Sequence, residues 1–195
     1  MKQTVFGIKS NRQIAKNTFE MVLSGDCSDI TKPGQFVNIK LDGFFLRRPI
    51  SVCDCQGDKL TIIYKVVGHG TEVMAEMQAG EKIDILTGLG NGYDLSKTTD
   101  NPVLIGGGAG VPPMYLLAKE LIKAGKKPSV VLGFNKKSEV FYEDEFKALG
   151  LETVIATADG SYGVKGFVTD GHKYIRQALD NGAIAILISD EAYCS

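Results

Sequence analysis

The sequence lacks three features that would place the chain in a specialised class of protein. Its net charge is −1, from 22 basic and 23 acidic residues, so it has no basic excess with which to gather nucleic-acid phosphates. It has no run of about 20 apolar residues, and we expect no membrane-spanning helix. Residues 1–12 have no apolar core segment, so we expect no signal peptide.

Cysteine is scarce and widely spaced. The four cysteines are Cys27, Cys53, Cys55 and Cys194. Their spacing fits neither a zinc site nor the disulfide framework of a secreted protein, and we therefore expect a reduced, cytoplasmic chain. Cys53 and Cys55 are two residues apart in a predicted strand, which places both side chains on one face.

What is present is an ordinary globular composition with many glycines. Of the 195 residues, 44% are hydrophobic and 23% are charged, which disfavours a disordered or fibrous chain and allows one to two domains. Short β-prone runs separated by turn residues fill the first half, a pattern typical of an antiparallel barrel or sandwich. The predicted strands are residues 4–8, 19–23, 35–41, 50–54, 60–67 and 82–86, with a short helix at 71–77.

The second half alternates strands with helices, which predicts a parallel α/β sheet. In residues 111–124, for example, apolar side chains recur at spacings of three and four, as in a helix that packs one face on a sheet. We place the domains at residues 1–97 and 98–195. The predicted strands are 102–105, 129–133, 153–158 and 183–189, and the predicted helices are 111–124, 142–149 and 172–180.

A glycine-rich loop joins the first strand and helix of this second half. Its residues include Gly106, Gly107, Gly108, Gly110 and Pro112. Glycines let a backbone approach a phosphate closely, and a helix N-terminus offers free N–H groups, so the loop predicts a nucleotide site rather than only a tight turn. The usual dinucleotide fingerprint is incomplete, because Pro113 replaces its third glycine and residues 133–135 lack the expected acid.

Two segments of the first half carry groups suited to a flavin dinucleotide. Arg48-Pro49-Ile50-Ser51 combines a hydroxyl with a guanidinium, whose planar fork suits phosphate oxygens. Taken alone, this segment also fits a solvated strand edge. A second strand, which contains Tyr64, ends in a small-residue loop with Gly70 and Thr71. We expect this loop to donate N–H and hydroxyl groups to a diphosphate and Tyr64 to stack on a planar ring.

In their order along the chain, these motifs resemble the ferredoxin–NADP reductase superfamily, whose members pair a flavin-binding β-barrel with a nicotinamide-binding α/β domain. More narrowly, residues 1–170 are similar to the electron-transfer subunits of class 1B dihydroorotate dehydrogenase. The motifs that carry the resemblance are Arg48-Pro49-Ile50-Ser51, Gly70-Thr71, Pro33-Gly34-Gln35-Phe36, Gly88-x-Gly90-x-Gly92, Gly108-x-Gly110-x-x-Pro113 and Ala158-Asp159-Gly160-Ser161-Tyr162-Gly163.

The resemblance implies a subunit that takes electrons from NADH on FAD. It implies that they pass through a [2Fe-2S] cluster to a catalytic subunit that oxidises dihydroorotate in pyrimidine biosynthesis, within a heterotetramer. The residues that it assigns to FAD are Arg48, Pro49, Ile50, Ser51, Ile63, Tyr64, Lys65, Gly70 and Thr71. Those that it assigns to NADH are residues 106–112, with Asp159, Gly160 and Ser161 beside them. No general acid or base is expected, because hydride transfer is cofactor chemistry.

The sequence departs from this resemblance after Asp170. The family continues to a Cys-Gly-Pro-like motif and then to four cysteines with C-x4-C-x2-C spacing, neither of which is present. Residues 166–183 instead resemble the start of a Mur ligase. We therefore expect a second domain that is incomplete after about residue 170, through truncation, chimerism or a diverged tail, and no iron–sulfur cluster.

Two other functions stay open on the sequence alone. One is a free-standing flavin reductase that uses NAD(P)H without an iron–sulfur cluster. The other is a non-catalytic remnant that folds but does not hold nucleotides tightly. Flavin in the purified protein excludes the remnant, and activity with an artificial acceptor but none with a catalytic partner favours the free-standing reductase.

Overall fold

A computed structural model describes residues 1–166 and the backbone of Ala185–Leu187. The chain forms two units, Met1–Tyr93 and Asp94–Ser195. The predicted helix at residues 172–180 lies outside the described residues. The assignment of FAD to the first half and of NADH to the second stays a prediction at this stage.

The first unit is a closed antiparallel barrel, as the sequence predicts. Its strands lie in the order β1-β2-β5-β4-β3-β6. The bounds are β1 (Lys2–Ala15), β2 (Thr18–Ser24), β3 (Phe36–Lys40), β4 (Arg48–Gln56), β5 (Lys59–Lys65), α1 (His69–Glu76) and β6 (Lys82–Leu89). Closure gives every strand two neighbours in the sheet.

Alternating apolar residues fill the barrel, because successive side chains of a strand point to opposite faces. Val37 and Ile39 of β3, for example, are fully buried, while the residue between them is partly exposed. Strand β1 is longer than predicted. It pairs with β6 through Lys2 to Gly7 and with β2 from Gly7 onward. Its second half is polar and shows no alternation of apolar and polar residues, so the sequence does not predict it as a strand.

The second unit is built on a parallel sheet, which confirms the predicted α/β class. The strand order is β10-β9-β8-β7-β11. The bounds are β7 (Val103–Gly107), α2 (Val111–Lys123), β8 (Ser129–Phe134), α3 (Glu143–Ala148), β9 (Thr153–Thr157), β10 (Val164–Lys165) and β11 (Ala185–Leu187). Strand β10 is not predicted by the sequence, because it has only two residues and both are exposed.

Helix α2 supplies much of the core beside this sheet. Met114, Leu117, Ala118 and Leu121 are fully buried, at the spacings of three and four that predict one apolar face. Gly125 has a φ of +78° just after the helix, a conformation that glycine adopts without strain. No helix in the described part of the chain has the length and apolarity needed to cross a membrane.

Candidate functional site

The barrel brings Arg48, at the start of β4, against Gly70 in the first turn of α1. A Cβ atom on Gly70 would lie 2.2 Å from Nε and 2.5 Å from Nη2 of Arg48. The guanidinium therefore occupies space that a Cβ on residue 70 would need, and a side chain there would force it to shift. Two residues that the sequence predicts separately as diphosphate ligands thus form one cationic surface, the Arg48–Gly70 pair.

An aromatic side chain supports this guanidinium. The Cζ atom of Arg48 lies 4.9 Å from the centre of the Phe44 ring, within the range of a cation–π contact. Arg48 also donates a hydrogen bond to the carbonyl of Leu46. On another side, the Phe44 ring lies 5.3 Å from the ring of His69, measured between centroids. Sequence reasoning missed Phe44, whose only signal is its position just before two arginines.

Thr71 shapes the N-terminus of α1 through its hydroxyl. The hydroxyl donates to the carbonyl of Gly68 at 2.8 Å and accepts from the backbone N–H of Val67 at 3.0 Å. The hydroxyl is thus engaged within the loop, and its predicted bond to a diphosphate stays a prediction. The N–H groups of His69 and Gly70 stand in the first turn, where a helix provides no acceptor for them, and the helix dipole is positive there.

Arg47, next to Arg48 in the sequence, is bonded within the barrel. Arg47 donates to Oδ1 of Asp84 at 2.9 Å and to the carbonyl of Asn38 at 3.2 Å, and its side chain is largely buried. It therefore ties the start of β4 to β3 and β6. Two adjacent arginines look equivalent in the sequence, but the structure commits Arg47 to the barrel and leaves Arg48 beside α1.

The pair of Arg47 with Asp84 predicts a loss of stability in acid. Burial acts to raise the pKa of Asp84, but hydrogen bonds from Arg47 and Gln3 outweigh it, and the pKa lies below its ordinary value. Such a carboxyl stabilises the fold above its unfolded pKa of about 3.9, and this contribution is lost as the pH falls through the lower native pKa. We expect the free energy of unfolding to drop less steeply in acid in Asp84→Asn than in the wild type.

Urea unfolding at neutral and acid pH measures this difference. Asp42→Asn, in an exposed turn, is the matched control and should follow the wild type. An identical pH dependence for Asp84→Asn and the wild type would contradict the assignment.

Tyr64 is a core residue of the barrel. Its side chain is only 3% exposed, and its ring stacks on Phe19 with centroids 5.9 Å apart. Its hydroxyl donates to Oδ1 of Asn11 at 2.9 Å, and burial raises the pKa of Tyr64 to about 12. This burial leaves little of the ring exposed, and its stacking on a flavin stays a prediction. Ile63 is also buried, so this end of β5 can line a ligand mainly through its backbone and the partly exposed Lys65.

Asn11 joins α1 to the barrel wall, and sequence reasoning missed it. Its amide donates to the carbonyl of Met74 at 2.8 Å and to that of Met77 at 3.0 Å, at the end of the helix. Its oxygen accepts the hydroxyl of Tyr64. One side chain thus satisfies carbonyls that a helix C-terminus leaves open and fixes α1 beside β5.

The Pro33-Gly34-Gln35-Phe36 motif packs against the glycine motif of residues 88–92 and against Tyr93, which follows it. The loop before β3 holds Gln35, whose side-chain oxygen accepts the N–H groups of Thr31 at 2.7 Å and Lys32 at 2.9 Å. Tyr93 donates its N–H to Pro33 at 2.8 Å, and its ring occupies the space where a Cβ of Gly34 would lie. These motifs fasten the loop before β3 to the segment after β6.

In the second unit, the glycine loop turns tightly from β7 into α2. A Cβ atom on Gly106 would lie 2.8 Å from the carbonyl oxygen of Gly110, so the strand end and helix start approach closely only with glycine. Gly108 has a φ of +49°. The N–H of Val111 bonds to Gly108, and the prolines that follow it have no N–H to give. The N-terminus of α2 therefore offers few free N–H groups to a phosphate. Donors for a nucleotide must come from the N–H groups of the glycine loop itself.

The topology places this loop where parallel sheets bind ligands. Strands β8 and β9 follow β7 on one side, while β11 pairs with β7 on the other. The strand order therefore reverses beside β7, and the crevice outside the carboxyl ends at such a point is the usual ligand site. Residues 106–112 begin at that end of β7.

The turn after β9 lies at the same edge of the sheet. Ser161 donates its N–H to Oδ1 of Asp159 at 2.9 Å, and its hydroxyl oxygen accepts the N–H of Lys137 at 2.8 Å. Gly160 has a φ of +73° within this turn. The predicted NADH residues Asp159, Gly160 and Ser161 are thus hydrogen-bonded to the loop after β8. Residues 106–112 lie at the end of β7, the strand next to β8 in the sheet.

The described cysteines lie in the barrel. A β-bulge falls between Val52 and Asp54, so Cys53 and Cys55 do not alternate regularly on one face as the sequence predicts. The thiol of Cys27 donates to the carbonyl of Gly25 at 3.6 Å, and the nearby Cys55 thiol together with burial raises the pKa of Cys27. Cys194 lies outside the described residues. Among the residues that are described, no three His, Cys, Asp or Glu side chains form a metal-binding group.

Curated relatives decide the family. A protein of Fusobacterium nucleatum subsp. nucleatum named "Dihydroorotate dehydrogenase B (NAD(+)), electron transfer subunit" is 48% identical over 194 residues, which covers 95% of this chain and 72% of the relative. The chain belongs to this family. A Bacillus pumilus protein of the same name is 47% identical over 178 residues, covering 87% of the chain and 69% of that protein. No family model matches.

The similarity to the first of these relatives also reaches into the tail. Its similarity covers 95% of the chain and therefore extends past Asp170. Strand β11 also joins the sheet beside β7 in the region where the sequence predicts a final strand at residues 183–189. The origin of the tail after Asp170 stays a prediction.

Solved structures agree with the ferredoxin reductase-like fold. The structure of an NADH-dependent reduced ferredoxin–NADP oxidoreductase, studied for flavin-based electron bifurcation, has a TM-score of 0.79 and 31% identity, and covers 89% of this chain and 64% of that one. A Neisseria gonorrhoeae ferredoxin NADP+ reductase with bound FAD and NADP has a TM-score of 0.77 and 19% identity, over 96% of this chain and 82% of that one.

Proposed function

We propose that this chain is a flavoprotein subunit that takes electrons from NADH on FAD and delivers them to the catalytic subunit of a dihydroorotate dehydrogenase. The Arg48–Gly70 pair is the observation that carries the proposal. Two elements distant in sequence, the start of β4 and the first turn of α1, bring a guanidinium beside the positive end of a helix, in space that a Cβ on Gly70 would need. This donor set fits a diphosphate. The names of the relatives support electron transfer and a catalytic partner.

The barrel residues bind and orient the flavin. Arg48 and the N–H groups of His69 and Gly70 hold the diphosphate, while Thr71 keeps the helix end in shape. Pro49, Ile50 and Ser51 continue β4 from this point and, with the end of β5, line the ring system. When bound, FAD supplies the redox chemistry by accepting a hydride from a nicotinamide, and the protein contributes orientation and electrostatics.

NADH binds the second unit at the carboxyl edge of the parallel sheet. Gly106, Gly107, Gly108 and Gly110 bring backbone close to the ligand, and Pro112 fixes the start of α2. Asp159, Gly160 and Ser161 flank this site, because their turn is fastened to the loop after β8. The reversal of strand order beside β7 supports this placement.

We propose that the described part of the chain holds no [2Fe-2S] cluster. A plain cluster of this type needs four thiolates brought together. The described residues include only three cysteines, Cys27, Cys53 and Cys55, and Cys53 is fully buried in β4. No electron step is therefore assigned to such a cluster here.

The visible spectrum and stopped-flow kinetics test this function. The purified chain should show flavin absorption without an iron–sulfur shoulder, and NADH should bleach the flavin. Mixing with the catalytic subunit and orotate then measures onward transfer. Reduction by NADH with electrons going only to an artificial acceptor would support the free-standing flavin reductase, and a chain that binds no flavin would refute both functions.

A further inference from the structure

Tyr162 lies in the turn after β9, next to Ser161, and the NADH site proposed above gives it no role. Its hydroxyl donates to Oε2 of Glu143, at the start of α3, at 2.9 Å. The other oxygen of this carboxylate accepts the ammonium of Lys147 at 2.6 Å. The side chain of Glu143 is only 17% exposed. A largely buried carboxylate that receives two hydrogen bonds therefore joins the turn to α3.

The main chain of Tyr162 is held separately, by strand β9. Thr157, the fully buried last residue of β9, donates its hydroxyl to the carbonyl of Tyr162 at 2.6 Å and accepts the N–H of Tyr162 at 3.1 Å. A Cβ atom on the next residue, Gly163, would lie 2.2 Å from the carbonyl oxygen of Ile155, so the chain passes directly against the strand. Tyr162 is thus anchored at its backbone by β9 and at its hydroxyl by α3.

We propose that Tyr162 is a positioning residue, which through Glu143 holds the turn after β9 so that the hydroxyl of Ser161 donates to NADH. This inference rests on the proposed NADH site. The hydroxyl oxygen of Ser161 accepts the N–H of Lys137 at 2.8 Å, so its proton is left to donate to a ligand oxygen. One contact to the loop after β8 and one to α3, on adjacent residues, fix the place of this donor.

The two ends of the Tyr162 side chain have different partners. The ammonium of Lys137 lies 5.3 Å from the centre of the ring, while the hydroxyl bonds to Glu143. That hydrogen bond and the charge of the carboxylate raise the pKa of Tyr162, so the hydroxyl keeps its proton at neutral pH and acts as the donor. A phenylalanine at this position removes the contact to α3 and keeps the ring beside Lys137.

Stopped-flow reduction of the FAD-loaded chain tests the role, because it gives the Kd for NADH and the limiting rate separately. In Tyr162→Phe we expect this Kd to rise by about 3- to 10-fold, the range of one hydrogen bond. The limiting rate should stay unchanged, as expected when a contact is lost equally from the ground state and the transition state.

Variants of α3 supply the matched comparisons. Glu143→Ala should raise the Kd for NADH as Tyr162→Phe does. Glu143→Gln keeps an oxygen that can accept the tyrosine hydroxyl, and should therefore stay closer to the wild type. Asp144→Ala removes an exposed acid from the same helical turn and should leave the Kd for NADH unchanged.

A double-mutant cycle with Ser161→Ala separates positioning from a general loss of stability. If Tyr162 acts through Ser161, Tyr162→Phe should change the Kd for NADH very little in the Ser161→Ala background. FAD binding should match the wild type in every variant, because none of the changed residues lies in the barrel.

Several outcomes would overturn the positioning role. They are an unchanged Kd for NADH in Tyr162→Phe, additive losses in the cycle, or an equal loss in Asp144→Ala. A lower free energy of unfolding with unchanged NADH binding would make the contact of Tyr162 with Glu143 purely structural. In all these cases normal reduction of the wild type by NADH would leave the proposed function standing, whereas a wild-type chain that binds FAD and is not reduced by NADH would refute both.

Discussion

Replacing Arg48 by alanine is expected to weaken FAD binding by about 10- to 100-fold. Hydrogen bonds to charged groups contribute about 1.5–3 kcal/mol, and Arg48 is the guanidinium that stands beside the N-terminus of α1. The loss should shrink as salt is added, because part of it is electrostatic. Titration of the flavin-free chain with FAD at low and high salt measures both effects.

Arg47→Ala provides the contrasting variant, since it removes the same kind of side chain one position earlier. Arg47 is bonded to Asp84 and Asn38, so its loss should lower the free energy of unfolding while the folded fraction still binds FAD normally. Arg48→Ala should show the reverse pattern. An unchanged Kd for FAD in Arg48→Ala, or equal effects of the two variants on FAD, would contradict the assignment of Arg48.

The sequence was sufficient to predict the two halves because each carries a strong local signal. Apolar side chains alternate in β3 and recur at helical spacing in α2 because one face of each element is buried. The structure shows these side chains, such as Met114 and Leu117, to be fully buried. In the first half, the turn residues between short β-prone segments likewise predict an antiparallel barrel. The weakest predictions concern polar strands, since the second half of β1 is held by pairing with β2 and not by an apolar face.

The site was predictable as motifs but not as contacts. The sequence predicts both Arg48 and Gly70 as ligands, and the closed barrel shows that they lie against each other. The sequence predicts stacking for Tyr64 but does not show that its ring points into the barrel, where it is 3% exposed. Asn11 and Phe44 carry no motif, because their importance comes from what the fold places beside them.

Replacing Gly70 by alanine is expected to weaken FAD binding at least about 10-fold, although no charge is removed. The new Cβ would lie 2.2 Å from Nε of Arg48, so the guanidinium must leave its place against α1. Displaced from there, Arg48 loses the geometry needed for a charge-assisted bond to the diphosphate, whose contribution is about 1.5–3 kcal/mol. Gly68→Ala is the matched control, because no atom lies within 4 Å of its Cβ and its φ of 178° is ordinary extended backbone.

A double-mutant cycle separates this mechanism from a general disturbance of α1. If Gly70→Ala acts by displacing Arg48, the same change in an Arg48→Ala background should alter the Kd for FAD very little. The two losses would then be strongly non-additive, as expected for residues in direct contact. Additive losses, or a matching loss in Gly68→Ala, would mean that the substitution damages the loop or helix itself, and the Arg48–Gly70 pair would no longer explain how the barrel holds a diphosphate.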